Sequence, residues 1–405
     1  MRETKPAFSL EAVQGALNKS HLNGWLFYDF RGLDLIARRI LGLDPTGIAS
    51  RRWFYYVPAE GTPAKLVHSI EPGMLDSLPG PRIIYLTWQS LREGLAKLLH
   101  GATRIAMQYS PQNEIPYVSR VDAGTVELVR STGVEVVSSA DLVQLFDATL
   151  SRAQIDGHKR AAKVLRSLVD DVFARAASVV RSRQALTERS LLDYVEARLA
   201  DEELIYDHPA IVAVNAHSAD PHFEVPVSGS ASIKSGDLLL FDVWAKERAA
   251  GSIYADITWT AYVGEKVPEE MAAVFKVVRE ARDAVVAKAE QAIAQKKPLH
   301  GFELDRAARD VIVAQGYGEF FVHRTGHSIH EEVHGNGANL DDLETHDTRL
   351  IVPNTVFSVE PGIYFPGRFG IRSELDLLHA GAHVEVTGPP PQTELRALLA
   401  QEVDS

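Results

Sequence analysis

The most constraining stretch of this sequence is Leu238-Leu-Leu-Phe-Asp-Val-Trp244, an apolar run of strand character with one carboxylate inside it. A strand that is apolar on both faces is buried on both. A lone buried carboxylate is costly unless it is hydrogen-bonded, protonated or bound to a cation. Asp242 alone is compatible with an acid that accepts hydrogen bonds from a nearby turn. A second run, Ile253-Tyr-Ala-Asp-Ile-Thr-Trp-Thr260, is interrupted the same way by Asp256, with Tyr254, Thr258 and Thr260 on its face. Polar residues 246–252 supply a turn between the runs, and an antiparallel hairpin can set the two acids side by side. Two buried acids with no interleaved base repel, so they need a shared proton or a multivalent ion.

The pattern recurs near the C-terminus. Val356-Phe-Ser-Val-Glu-Pro-Gly362 ends an apolar strand on Glu360, and Gly370-Ile-Arg-Ser-Glu-Leu-Asp376 puts Arg372, Glu374 and Asp376 on one face. Upstream, His323-Arg-Thr-Gly-His-Ser-Ile-His-Glu-Glu-Val-His-Gly335 holds four histidines within twelve positions. Neutral imidazole is a good ligand for Zn, Mn, Fe or Co, and Gly326 lets backbone approach a site closely. Four imidazoles and four carboxylates exceed one coordination shell, so some are bystanders; His330 is expected to be one, and Glu331 and Glu332 to be a solvated face. Two hairpins, each offering two acids, and one imidazole make an oxygen-rich cage with room for two ions.

The remaining chain frames this cage. At 405 residues, 45% apolar and 24% charged, two domains with sizeable cores are expected. In the first ~150 residues, Gly24–Tyr28, Trp53–Val57, Ile83–Leu86 and Arg104–Met107 read as strands and Ser90–His100 as a helix, with no polar constellation. Helices are expected from Ser151 to about Leu199, with Thr187 opening the second, over Pro268–Ala294, and over Phe302–Gln315 with Gly316 closing it. Strands are expected at Asp237–Ala245, Ile253–Val263, Val356–Tyr364 and Gly370–Leu378. A tail follows Pro389, with a short helix over Thr393–Leu399. The net charge of −12 argues against nucleic-acid and anionic-membrane partners. The absence of cysteine excludes disulfides and thiolate ligands. No run has the length of a membrane span, and the opening MRETKPAFSL lacks a signal-peptide core, so a cytoplasmic location is expected.

Taken in order, D…D-I-T, H-x-x-G-H, V-E-P-G-x-Y and G-x-R-x-E resemble the pita-bread metallopeptidases: aminopeptidase P, prolidase and, more distantly, methionine aminopeptidase. The resemblance implies an α/β (α+β) protein: a creatinase-type N-terminal domain over 1–150 and, over 151–405, a pita-bread catalytic domain whose curved antiparallel sheet is flanked by helices. It implies metal-dependent hydrolysis of the Xaa-Pro bond in dipeptides or short peptides by a hydroxide bridging two divalent ions, Mn²⁺ ahead of Zn²⁺ or Co²⁺. The implied ligands are Asp242, Asp256, His327, Glu360 and Glu374. Glu360 is implied as the proton acceptor, His222 and His334 as donors to the developing oxyanion, and His222, His323, His334 and Arg372 as the residues lining the substrate. A peptide with proline second is the implied partner, and a homodimer the implied assembly. Some features depart from the pattern. The spacer between the two aspartates is long, Ser328 follows His327, Trp259 stands where relatives often carry Arg, and His346 and Arg349 compete for the role of gripping a dipeptide carboxylate. A lyase or hydrolase of a small non-peptide metabolite, such as a dimethylsulfoniopropionate lyase, shares the fold and is the competing reading; a silent binding module is disfavoured by the complete ligand set.

Overall fold

A computed structural model describes residues 8–44, 47 and 49–401, and the chain divides into two compact units, Met1–Ala148 and Thr149–Ser405. Most of the opening MRETKPAFSL lies outside the described residues.

The first unit is a mixed six-stranded sheet of β1 (Gly24–Asp29), β2 (Trp53–Pro58), β3 (Ala64–His68), β4 (Arg82–Tyr85), β5 (Arg104–Met107) and β6 (Glu135–Ser138), in the order β4-β3-β2-β1-β5-β6. Its helices are α1 (Leu10–Lys19), α2 (Leu35–Ile40), α3 (Trp88–Leu98), α4 (Ala123–Arg130) and α5 (Ala140–Val143). The two-residue period of β1 sorts them into layers. Trp25 and Phe27 pack with α1 and α2 on one side, and Leu26 and Tyr28 with α3 and α4 on the other. Helix α3 starts at Trp88 because Thr87 and Ser90 cap each other's backbone N–H groups.

The second unit carries α6 (Arg152–Arg181) and α7 (Glu188–Asp201), each opened by a reciprocal cap, Ser151 with Gln154 and Thr187 with Ser190. Strands β7 (Leu204–Ile205), β8 (Ile211–Val214), β9 (Asp237–Glu247) and β10 (Ala255–Val263) follow, then α8 (Glu269–Ala294) and α9 (Gly301–Ala314). The chain closes with β11 (Ser328–Ile329), β12 (Thr355–Val359), β13 (Gly362–Phe365), β14 (Phe369–Arg372), β15 (Leu375–His379), β16 (Val384–Thr387) and β17 (Arg396–Ala397). One sheet runs β17-β10-β9-β7 with β8 also on β9, a second runs β11-β12-β15-β16, and β13 and β14 form a separate ribbon.

Each large sheet is backed by a helix pair. Leu239, Phe241 and Val243 of β9, with Ala255, Ile257 and Trp259 of β10, pack on α6 and α7. Phe357, Val359, Leu375 and Leu377 pack with α8 and α9. Alternation then turns Asp242, Asp256, Thr258 and Thr260 to the face away from α6 and α7. Among the described residues no helix is long and apolar enough to cross a membrane.

Two expectations from sequence fail locally. The segment Thr393–Leu399 contains a strand, β17, rather than a helix. It pairs parallel with β10 at Ala261↔Arg396, where the sheet edge offers hydrogen bonds that a one-turn helix lacks. The expected continuous strand pair through Glu360 and Glu374 is broken into β12·β15 and β13·β14. Pro361 has no N–H for a ladder, and the N–H of Glu374 turns away to the Thr258 carbonyl at 3.0 Å.

Candidate metal centre

The site forms where these two sheets meet. In the β9·β10 hairpin Thr258 lies opposite Asp242 and Trp244 opposite Asp256, so the two aspartates are diagonal neighbours on one face. Glu360 and Glu374 sit at the break between β12·β15 and β13·β14, where no ladder fixes them. Side chains and stray backbone groups do so instead. Thr258 Oγ1 donates to Glu374 Oε2 at 2.7 Å, Asp256 N–H to Asp376 Oδ2 at 2.8 Å, and Thr260 Oγ1 to the Arg372 carbonyl at 2.8 Å.

His327 enters through a close backbone approach. A Cβ on Gly326 would lie 2.0 Å from the Ser358 carbonyl oxygen, so no larger residue fits without moving β12. The His327 N–H donates to Ser358 Oγ at 3.0 Å, and that hydroxyl donates to Glu360 Oε1 at 3.1 Å. With His327 Nδ1 against the Ser328 carbonyl at 3.2 Å, Nδ1 carries the proton and Nε2 presents its lone pair to the acids. Nε2 is 3.4 Å from Glu360 Oε1 and 3.8 Å from Asp256 Oδ2. One ligand atom each from Asp256, His327 and Glu374 falls within 4.8 Å of the others.

Arg372 is the cation built into this cluster. It is paired with Asp242 Oδ2, and also donates to Thr258 Oγ1 at 3.1 Å, Tyr364 OH at 3.2 Å and the Pro221 carbonyl at 3.4 Å. Tyr364 OH in turn meets His323 Nε2 at 2.7 Å, while His323 Nδ1 meets the Arg324 carbonyl at 2.7 Å. Both nitrogens of His323 are therefore engaged within the protein. Burial and the nearby Arg372 push its pKa down to about 3, which keeps the ring neutral.

The other histidines separate by position. The ring of His334 stands edge-on to that of His327, with centroids 4.3 Å apart. His222 lies exposed in the turn after β8, with its N–H on Asp220 Oδ1 at 3.0 Å. His330 is buried, and its carbonyl accepts the Tyr254 N–H at 3.0 Å, a core role. Glu332 is exposed and Glu331 only half-buried. Of the pair offered for a substrate carboxylate, Arg349 is already committed within the protein. Arg349 is buried on Asp347 at 2.6 Å and donates to the Asn336 carbonyl at 2.8 Å, while His346 is bonded to Asp342 at 2.6 Å and packs on Phe302.

Residues 156–379, more than half of the chain, match the sequence model of metallopeptidase family M24. The chain belongs to metallopeptidase family M24. Uncharacterized peptidases of Staphylococcus aureus are similar to this M24 chain: that of strain MRSA252 is 31% identical over 211 residues, covering 50% of this chain and 54% of its own. That of strain MW2 is 30% identical over the same length and shares. The chain thus spans about half the length of the curated relatives it matches. Among solved structures, dipeptidase PepE from Mycobacterium ulcerans superposes with a TM-score of 0.69 at 23% identity, over 96% of both chains. The Xaa-Pro dipeptidase from Bacillus anthracis gives 0.60 at 21%, over 96% of this chain and 98% of its own. At such identities the likeness is one of fold, the mixed α/β pita-bread architecture with antiparallel sheets.

M24 proteins use divalent metal ions, and the donor set of this M24 chain fits such ions. Asp242 Oδ1 and Asp256 Oδ1 are buried and have no hydrogen-bond partner among the described residues. Burial first, and then repulsion from their neighbours, holds Asp256 and Glu374 well above the ordinary carboxylate range. Burial likewise raises Glu360 to about 7, although Arg372 opposes the shift. Burial holds His327 well below its usual value. Carboxylates held this close, one imidazole lone pair and one guanidinium leave an excess of negative charge that divalent cations would neutralise.

Thr258, Ser358, Tyr364 and Asp376 were not expected as partners of the site. Thr258 and Asp376 share strand faces with Asp256 and Glu374, a signal present in the period of two. Ser358 carries the same signal, two residues before Glu360 in one strand run; Tyr364 carries none, because its partner His323 lies in a loop 41 residues upstream.

Proposed function

We propose that this M24 protein is a metal-dependent peptidase that hydrolyses the bond ahead of proline in dipeptides or short peptides. The observation that carries the reading is the convergence of Asp256, His327 and Glu374 ligand atoms within 4.8 Å at a buried, cation-poor point. The Xaa-Pro preference is drawn from the family resemblance and from structural neighbours described as an Xaa-Pro dipeptidase and an X-Pro aminopeptidase.

In this proposal Asp242, Asp256, His327, Glu360 and Glu374 hold two divalent ions. Bound there, the ions supply Lewis acidity toward a carbonyl oxygen and lower the pKa of a water. Glu360 is the proton carrier: its side chain is 15% exposed, more open than that of Asp256 or His327, and the Ser358 hydroxyl fixes one oxygen. His334 and His222 donate to the carbonyl oxygen as charge develops on it. His323, with both nitrogens engaged, shapes the site together with Tyr364. Arg372 orients Asp242. Proline makes a tertiary amide with no N–H, so the leaving nitrogen must receive the proton that Glu360 has taken. The carboxylate-rich donor set favours Mn²⁺, with Zn²⁺ or Co²⁺ able to bind. Residues 151–405 form the catalytic domain and 1–150 the creatinase-type domain. A cytoplasmic homodimer completes the proposal, resting on the resemblance and the sequence.

The test is proline release from Ala-Pro and Leu-Pro with Mn²⁺ present, run beside an Xaa-Pro-Xaa tripeptide. Release of proline, or of the first residue from the tripeptide, is expected. Turnover of none of them overturns the reading and directs attention to a non-peptide metabolite.

A further inference from the structure

The face of β9 that carries Asp242 is otherwise apolar. Leu240 and Trp244 flank the aspartate on it, and in the neighbouring strand Ile211 lies opposite Asp242 and Ala213 opposite Leu240. Phe223, from the turn after β8, packs on this group together with Trp244. Trp244 is also the cross-strand partner of Asp256, which sets their Cβ atoms about 5 Å apart. Both aromatic rings are held in place. The Trp244 indole Nε1 donates to Asp207 Oδ1 at 3.0 Å. The Phe223 ring stacks on that of His217 with centroids 4.3 Å apart, and His217 is held by Glu188 at 2.8 Å. The turn carrying Phe223 is tied to the metal centre through the Pro221 carbonyl, which accepts from Arg372 at 3.4 Å. Yet Trp244 and Phe223 are only half-buried, whereas Leu240 and Ala213 are 2% and 0% exposed. Fixed aromatic surface left open beside a buried polar centre is apolar area for a ligand to cover.

The geometry points to Trp244 and Phe223 as specificity-determining residues, a wall that receives an apolar side chain of the substrate's first residue. The assignment rests on the peptidase reading above. In that reading the leaving proline nitrogen takes its proton from Glu360, at the break between β12 and β13. The wall stands on the β8·β9 pair, in the other sheet. The scissile bond therefore lies between the two sheets, with proline toward Glu360 and the first residue toward Trp244. His222, the residue before Phe223, is the donor proposed for the carbonyl oxygen between them. A leucine side chain in the first position covers the two rings and leaves water; glycine has nothing to cover them with. Burial of an aliphatic side chain of that size is worth roughly tenfold to a hundredfold in binding.

The experiment measures kcat/KM for Leu-Pro and for Gly-Pro, with Mn²⁺ saturating, in wild type, Trp244→Ala, Trp244→Phe and Phe223→Ala. The readout is the ratio of the two values, because damage to the fold, the metal site or proton transfer lowers both substrates alike and cancels. The wild type should favour Leu-Pro by roughly tenfold to a hundredfold. That ratio should fall about tenfold in Trp244→Ala and about threefold or more in Phe223→Ala, while Trp244→Phe keeps most of it. For a variant that turns over neither dipeptide, the ratio of their affinities for the Mn²⁺-loaded protein takes its place. Absence of a preference in the wild type, or a ratio that stays at the wild-type value in either alanine variant, overturns the assignment alone. Equal losses on the two substrates give such an unmoved ratio and would place the rings against the proline or in a purely structural role. Failure of the wild type to cleave any Xaa-Pro dipeptide or tripeptide overturns the peptidase reading, and this assignment with it.

Discussion

Glu360→Gln in the metal-free protein isolates the repulsion that cations are held to relieve. Burial raises the Glu360 carboxyl from 4.5 to about 7. That rise of about 2.5 pH units corresponds to about 3 kcal/mol. Below pH 4.5 the group is protonated in both folded and unfolded chains, so it exerts no penalty. Between 4.5 and about 7 the unfolded chain releases the proton while the folded chain keeps it, so stability falls as pH rises. Above about 7 the loss is complete. Glutamine has no proton to lose. Urea unfolding of EDTA-treated wild type and variant, from pH 4.5 to 7.5, should therefore show the wild type losing about 3 kcal/mol relative to Glu360→Gln. Comparing the two proteins cancels the histidines with depressed pKa values, His158, His323, His327, His334 and His379, which push the total stability the other way. Mn²⁺ at about a thousand times its Kd and pH 7.5 should reverse the order, because the ion binds the deprotonated carboxylate and stabilises the wild type by about 4.1 kcal/mol. A difference that stays flat with pH, or that favours the wild type as pH rises, refutes the reasoning.

Two further substitutions probe the frame around the acids. Gly326→Ala places a methyl 2.0 Å from the Ser358 carbonyl and must separate β12 from the His327 loop; isothermal titration should show divalent-metal affinity falling about tenfold or more, as for lost supporting contacts. Arg372→Leu leaves the buried Asp242 without its guanidinium and should cost the metal-free protein about 3–5 kcal/mol in urea unfolding. Arg372→Lys should not restore it, because one ammonium cannot serve four separate acceptors.

Much of this centre was legible because its acids violate local rules. Asp242 and Asp256 interrupt runs that are otherwise those of buried strands, and a hairpin in the right register puts them on one face. Long helices were legible for the complementary reason: α6, α8 and α9 have sustained 3.6-residue spacing and clear ends. Short strands were not. β3 and β6 are only five and four residues long, and their place is set by pairing with β2 and β5 rather than by any pattern of their own. The break at Pro361 and Glu374 was hidden because it depends on Thr258, more than a hundred residues upstream. Arg349 shows the limit from the other side: an arginine near a glutamate motif reads as a substrate ligand until Asp347 is seen to bury it.

The central claim is that carboxylates distant in sequence converge to hold cations. Titrating Mn²⁺ into EDTA-stripped wild type, Asp256→Asn and Glu374→Gln tests it directly, with circular dichroism confirming that all three are folded. The wild type should take up close to two ions per chain and both variants should lose tight binding. Stoichiometric uptake that survives in both variants, or a folded wild type that binds no divalent ion, would contradict it.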